Sequence, residues 1–326
     1  MEIVLVRHAE STSNVSRRWQ GQGDAPLSSH GEAQAAALGA RIAESVRAGW
    51  RVDEIVSSDL MRAARTGRAS FENVATDSSW READVGAWEG LTRAEVAARF
   101  PEELAGLFEG RSDVSLGGGE SIDRFWARVD SAFDTLRARL PADGRAVVFS
   151  HGGVIGALVA RVLGKRSQRP PLGFGRIANT GMTTLHFDAT HPRGRVVGLN
   201  DTAHLGLHAV AAEERRDGAL PVVRFIATEG AALSPESEEL RIATATRSRE
   251  TVHAALRVLV DRAGGVDVTL RLEPHAVHAT ALVLAHVPQE HHAALIVPPH
   301  ASHSHILLDV RSGATLIDHA ISAHKG

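Results

Sequence analysis

A chain of 326 residues, 43% hydrophobic and 23% charged, has the composition of a globular protein and enough length for two domains of ordinary size. Its net charge of −3 gives no electrostatic reason to expect a nucleic-acid or membrane-surface partner, and the absence of cysteine excludes disulfides, thiolate catalysis and zinc–thiolate sites. No apolar run approaches the roughly 18 residues of a membrane span, and residues 1–6 lack the length, basic leader and cleavage site of a signal peptide, so a cytoplasmic location is expected.

In chain order, Ile3–Val6 is a continuous apolar run that stops at Arg7 and His8, two groups that are costly to bury without partners. Glu32–Gly49 follows with Ala35, Ala36, Leu38, Ile42 and Val46 at helical spacing. Asp53–Ser57 reads as a second strand. Ser121–Leu140 reads as a helix capped after "GGGE" and stopped by Pro141. Ala146–Ser150 is a third strand, followed directly by a helix at Val154–Leu163. The three strands read as buried on both faces, and their alternation with helices predicts a three-layer α/β/α sandwich with a mostly parallel sheet. In such sheets, sites gather beyond the carboxyl ends of the strands, where Arg7–His8 and Ser150–His151 both fall.

Four separated pieces carry possible chemistry. "VRHAES" offers Arg7 and His8; "SSDLMRAARTG" places Arg62 and Arg65 in a helix just after a strand; "READVGAWEG" offers Glu82, Asp84 and Glu89 among glycines; "VVFSHGGVIGAL" sets His151 before a glycine-rich helix start, a natural anion site. Singly, each has a bland reading as a solvated strand end, basic helix face or acidic loop. Together with "GQGDAPLSSHGEAQA", "GGGES" and "NDTAHL", and in this order, they resemble the histidine phosphatase superfamily, also called phosphoglycerate mutase-like, over about residues 1–205.

The resemblance implies a division of labour. His8 resembles the family's nucleophile, which forms a covalent phosphohistidine; a neutral imidazole nitrogen is competent for this near neutral pH. Arg7 and Arg62 match phosphate-binding arginines, whose planar forks suit a phosphate. His151 matches the second histidine of the phosphate pocket. Glu82 matches the general acid, with Asp84 its nearest competitor. Ser11, Asn14, Gly21 and Gly152 match secondary phosphate or substrate contacts, Arg65 reads as surface or supporting, and Asn179, Asn200 and His204 as structural closure of the domain. Trp88 reads equally as a substrate-mouth residue and as packing. No cofactor is implied, because two arginines and a histidine supply the positive charge that magnesium supplies elsewhere. The expected activity is hydrolysis of a small-molecule phosphomonoester. The alternatives are phosphoglycerate mutase-type transfer and a catalytically silent phosphate-binding regulatory module. The acid-loop form "WEG" favours a phosphatase, and the complete set of reacting residue types disfavours a silent module.

The domain with these motifs is expected to span residues 1–210, followed by a charged linker at 211–220 and a smaller α+β domain at 221–326. Strands are predicted near 221–227, 266–273, 279–287 and 304–310, and a helix near 248–263. This region matches no family by its motifs and holds 11 of the 18 histidines. His300, His303 and His305, with Asp309 close by, are the candidates for a metal site there, but no established ligand motif is present, so none is expected. Dimerisation with a second copy, a cap over the active site or a second activity are the roles open to it.

Overall fold

A computed structural model describes residues 1–164 and 177–206 continuously, and beyond them residues 222–227, 237, 240, 249–262, 268–272, 274–284, 302–309 and 313–322. The chain divides into two compact units, the first built, among the described residues, from Met1–Arg161 and Ile177–Pro192, the second from 162–164 and from Arg193 onward. The expected linker at 211–220 and His300 lie outside the described residues.

The first unit contains β1 (Glu2–Arg7), α1 (Thr12–Val15), α2 (Ser29–Arg47), β2 (Glu54–Ser57), α3 (Met61–Arg68), β3 (Ala75–Thr76), α4 (Arg93–Arg99), α5 (Pro101–Phe108), α6 (Ile122–Arg139), β4 (Arg145–Ser150), α7 (Gly152–Val162) and β5 (Met182–His186). Its strands lie in the order β3-β2-β4-β1-β5, all parallel except β5. The predicted α/β class with a mostly parallel sheet is present. The apolar runs explain the strands: Val4, Val6, Val147 and Phe149 face Leu38 and Ile42 of α2, while the alternating set Ile3, Leu5, Ala146 and Val148 is equally buried on the other face. Each such large side chain contributes about 1.5–3 kcal/mol on burial.

Helix boundaries follow their caps. The Ser28 hydroxyl accepts the Gly31 amide and starts α2 at Ser29, ahead of the expected Glu32, because the cap rather than the apolar pattern fixes the first turn. Ser121 caps α6, which ends at Arg139 with Leu140 as its C-cap before Pro141, in keeping with the expected stop.

Register places the site. In the parallel β1–β4 pair, Arg7 lies opposite Ser150, and Ser57 of β2 lies opposite Phe149. His8, Ser58 and His151 therefore leave the sheet side by side at its carboxyl edge. β5 runs antiparallel to β1, so the 179–181 turn enters at the same edge, where the Arg7 amide donates to the Gly181 carbonyl at 3.1 Å.

The second unit contains β6 (Arg195–Asp201), β7 (Val222–Ala227), α8 (Arg249–Arg262), β8 (Val268–Leu272), α9 (Pro274–Leu284), β9 (Ser302–Asp309) and β10 (Gly313–Ser322). β7 pairs in parallel with β8 and antiparallel with β9, which pairs antiparallel with β10. Residues 279–284 of the strand expected at 279–287 belong instead to the helix α9, and 285–287 lie outside the described residues. A short apolar run such as "ALVLAHV" fits either period, and Pro274 at the first helical turn with the alanines that follow decides for the helix. β10 was absent from the expected set. No described helix is long and apolar enough to cross a membrane.

At Gly39 of α2, a Cβ would run into the Ala69 carbonyl at the end of α3. Gly39→Ala is expected to destabilise the first unit by about 1–3 kcal/mol through overpacking. All five tryptophans, Trp19, Trp50, Trp80, Trp88 and Trp126, belong to that unit, so urea unfolding followed by tryptophan fluorescence measures this loss.

Candidate active site

Arg7 and His8 stand at the end of β1 and are 7% and 3% exposed. A carbonyl oxygen only accepts, so the 2.7 Å contact between His8 Nδ1 and the Ala9 carbonyl places the ring proton on Nδ1. The neutral ring then carries its lone pair on Nε2. Arg7 donates from a terminal nitrogen to the Ile177 carbonyl at 2.6 Å. Arg62, in the first turn of α3 and 1% exposed, donates to the Gly21 and Gly23 carbonyls at 2.7 and 2.8 Å, while its Nε has no hydrogen-bond partner among the described residues. Burial pushes the Arg62 guanidinium down to about 10, partly offset by Glu82, Glu89 and Asp24, so it stays charged at neutral pH.

His151 is wholly buried between β4 and α7, its ring centroid 5.2 Å from that of His8. Its Nε2 lies 2.9 Å from Ser58 Oγ, which also accepts the Leu60 amide. Its Nδ1 is buried and has no hydrogen-bond partner among the described residues. Burial lowers the pKa of both histidines well below 6.5, and the charges of Arg62 and Arg7 lower both further. The edge thus holds two cations beside two neutral imidazoles, His8 with a free lone pair on Nε2 and His151 with an unpartnered Nδ1. Such a set can seat an anion and attack it.

Glu82 comes from the loop after a 3-10 turn at Ser78–Trp80; its carboxylate accepts the Gly153 amide at 2.9 Å and the Ala83 amide at 3.1 Å. It therefore sits at the start of α7, and a Cβ on Gly153 would strike it. Asp84 is exposed, and its carboxylate closes a turn onto the Gly86 amide at 2.9 Å. Ser11 is fully buried and capping α1, its hydroxyl donating to Gln20 Oε1. The Asn14 side-chain oxygen accepts from the Ser11 amide and from Asn179. The Gly21 amide donates to Glu89, as does that of Gly23, so the carboxylate of "WEG" ties down the 21–23 loop that receives Arg62. Gly152 opens α7 with its Cβ position 3.6 Å from Arg7 Nε. Arg65 is exposed and paired with Glu32. Trp88 is fully buried against Trp19 and Phe100, which makes it packing rather than a mouth residue.

Several supporting residues escape sequence reasoning. Ser58 meets the His151 ring; Thr66 Oγ1 accepts the Ala9 amide and donates to the Arg62 carbonyl; Asn179 donates to the His8 carbonyl at 2.8 Å, a direct grip on the His8 backbone beyond the structural closure expected of it. The second serine of "SSD", just past a strand end, was the one local signal. Next to Asn179, Thr180 has φ 57°, a region β-branched residues avoid, and its amide donates to the Arg7 carbonyl. His303 and His305 both fall in β9, and among the described residues no group of three or more His, Asp or Glu side chains could hold a metal. An open surface depression of about 490 Å³ lined by Asp53, Ile55 and Arg68 lies at the other end of β2 and contains none of these groups.

The sequence model of the histidine phosphatase superfamily, branch 1, matches residues 3–202. The chain belongs to this superfamily. Its relatives there include a phosphoglycerate mutase-like protein of Arabidopsis thaliana, 35% identical over 166 residues, which are 49% of this chain and 70% of that one. A probable phosphoglycerate mutase of Salmonella choleraesuis is 36% identical over 171 residues, 50% of this chain and 75% of the other. Among solved structures, mycobacterial glucosyl-3-phosphoglycerate phosphatase in complex with inorganic phosphate is 31% identical with a TM-score of 0.53, covering 62% of this chain and 98% of that one. The phosphoserine phosphatase of Entamoeba histolytica shares the fold at 24% identity, TM-score 0.54, over 63% and 98% of the two chains. The superfamily relatives of this chain thus include both phosphatases and mutases.

The depressed histidines have a stability consequence. The unfolded chain takes up protons on His8 and His151 near pH 6.5, while the folded protein does so only well below that value. Stability is complete above about pH 6.5 and falls as pH drops from there towards the folded pKa values, by about 1.4 kcal/mol per pH unit for each histidine. Urea unfolding between pH 7 and 5 measures the slope, and His8→Ala is expected to remove about half of this part of it.

Proposed function

We propose that the chain is a phosphomonoesterase that works through a phosphohistidine on His8. The observation that carries this reading is the Nδ1 contact with the Ala9 carbonyl, which leaves Nε2 as a lone-pair nucleophile beside the buried Arg7 and Arg62. Nε2 attacks phosphorus, the P–O ester bond breaks with its electron pair on the leaving oxygen, and Glu82 donates a proton to that oxygen. Glu82, now a carboxylate, takes a proton from water; the water oxygen attacks phosphorus, and the P–N bond breaks with its pair returning to Nε2. With its ring proton on the unpartnered Nδ1, His151 joins Arg7 and Arg62 in stabilising charge on the transferring group. The place of Glu82 at the start of α7, against the exposed, turn-closing Asp84, supports Glu82 as the acid.

A small phosphorylated metabolite is the proposed substrate class. The likeness to glucosyl-3-phosphoglycerate phosphatase makes a sugar phosphoglycerate the first member of a test panel, and the mutase names among the relatives make phosphoglycerate the second. Release of inorganic phosphate faster than phosphoglycerate interconversion is the expected outcome; the reverse overturns the hydrolase reading in favour of a mutase.

His8→Ala is expected to lose at least about 10³-fold in kcat and to form no acid-labile phosphoprotein in a quench with labelled substrate. Glu82→Gln is expected to lose about 10²–10⁴-fold. Equal activity in wild type and His8→Ala would end the proposal. Because the arginines supply the positive charge, activity is expected to survive chelation, and strong reactivation by added magnesium would count against this mechanism.

A further inference from the structure

The loop that carries Glu82 has no helix or strand ladder to satisfy its backbone, yet its carbonyls from Ser79 to Glu82 are all accounted for. Ser150 Oγ donates to the Trp80 carbonyl at 2.7 Å. The other three converge on one side chain, Arg128 of α6. One terminal nitrogen of its guanidinium donates to the Ser79 and Arg81 carbonyls at 3.0 and 2.9 Å, and the second to the Glu82 carbonyl at 3.2 Å. Its Nε and the second terminal nitrogen hold both carboxylate oxygens of Glu120 at 3.0 and 2.7 Å. Arg128 and Glu120 are only 23% and 13% exposed in their side chains. Glu120 is itself bound to the same loop, its amide donating to the Asp84 carbonyl at 2.8 Å.

We infer that Arg128 is a positioning residue for the Glu82 carboxyl, holding the acid loop to α6 so that the carboxyl meets the leaving-group oxygen. All five N–H donors of Arg128 are committed to the loop and to Glu120, so none is left for a phosphate. That separates it from Arg7 and Arg62, which point at the reacting edge. The planar fork is what the task requires: three carbonyls and a bidentate carboxylate are met in fixed directions, which an ammonium group cannot reproduce. The inference rests on the proposed role of Glu82 as general acid.

Leaving-group dependence tests it. An acid that protonates the departing oxygen matters most for poor leaving groups and little for good ones. The probe is a series of aryl phosphates from 2,4-dinitrophenyl to phenyl phosphate, read as kcat/KM, which reports the steps up to loss of the phenol and leaves out hydrolysis of the phosphohistidine. In Arg128→Lys, kcat/KM for phenyl phosphate is expected to fall about 10- to 100-fold, while that for 2,4-dinitrophenyl phosphate changes by less than about threefold. Glu82→Gln is the reference and is expected to show the same steepening. Glu120→Gln, which weakens the hold on Arg128 but keeps every carbonyl contact, is expected to show it to a smaller degree and serves if Arg128→Lys does not fold. Equal loss on all substrates, or no loss, in the Arg128 and Glu120 variants against a steepened Glu82→Gln overturns this inference alone. A Glu82→Gln series that is not steepened overturns the acid role of Glu82, and with it the premise.

Discussion

The parallel pairing of β1 with β4, in the register that sets Arg7 opposite Ser150, is the constraint on which the site depends. It makes His8 and His151 the next residues out of the sheet on neighbouring strands, 5.2 Å apart between ring centroids. Strands buried on both faces are stiff platforms, and their hydrogen-bond ladder carries that stiffness to the last residue. The neighbouring β2 adds Ser58 at the same edge, and the 179–181 turn adds Asn179. Every other element of the site is fastened to this row.

The same constraint produces the electrostatics. Two guanidinium groups withdrawn from water are costly unless their donors are met, and the carbonyls of Ile177, Gly21 and Gly23 meet some of them. The imidazoles beside them cannot easily take a proton without adding a third charge to a dry cluster, so both remain neutral bases. A nucleophile needs that state. The buried cations and the unprotonated imidazoles are therefore one physical arrangement, assembled when β1, α3 and β4 come together. Negative charge around Arg62 comes from Glu89 and Asp24, and Glu89 also holds the glycine loop whose carbonyls Arg62 uses.

The supporting side chains reach across the chain rather than along it. Thr66 joins α3 to the residue after His8, Asn179 reaches the His8 carbonyl from 171 positions away, and Arg128 ties α6 to a loop about 47 residues earlier. Residues of this kind have ordinary polar identities and ordinary local surroundings. Nothing in "FWARVDS" marks Arg128 apart from a solvated helix face, since its partners are carbonyls, which every residue possesses. Trp88 was undecidable for a similar reason: an indole beside a glycine packs inward or lines a mouth according to what lies opposite, and Trp19 lies opposite.

The sequence by itself determined the alternation of buried strands and helices in the first unit, its mostly parallel sheet and the placing of Arg7–His8 and Ser150–His151 at strand ends. Those features are local: apolar runs of strand length, capping serines, and histidines at strand ends are written in a few adjacent letters. It also carried the family likeness, because several such stretches recur in one order. Only the tertiary structure decided which imidazole nitrogen keeps the proton, that the Ser11 hydroxyl caps a helix, that Glu82 rather than Asp84 lies at the start of α7, and that 274–284 is a helix. Each of these turns on what stands within about 3 Å of a given atom. That distance is set by elements far apart in the chain, and no window of sequence contains it.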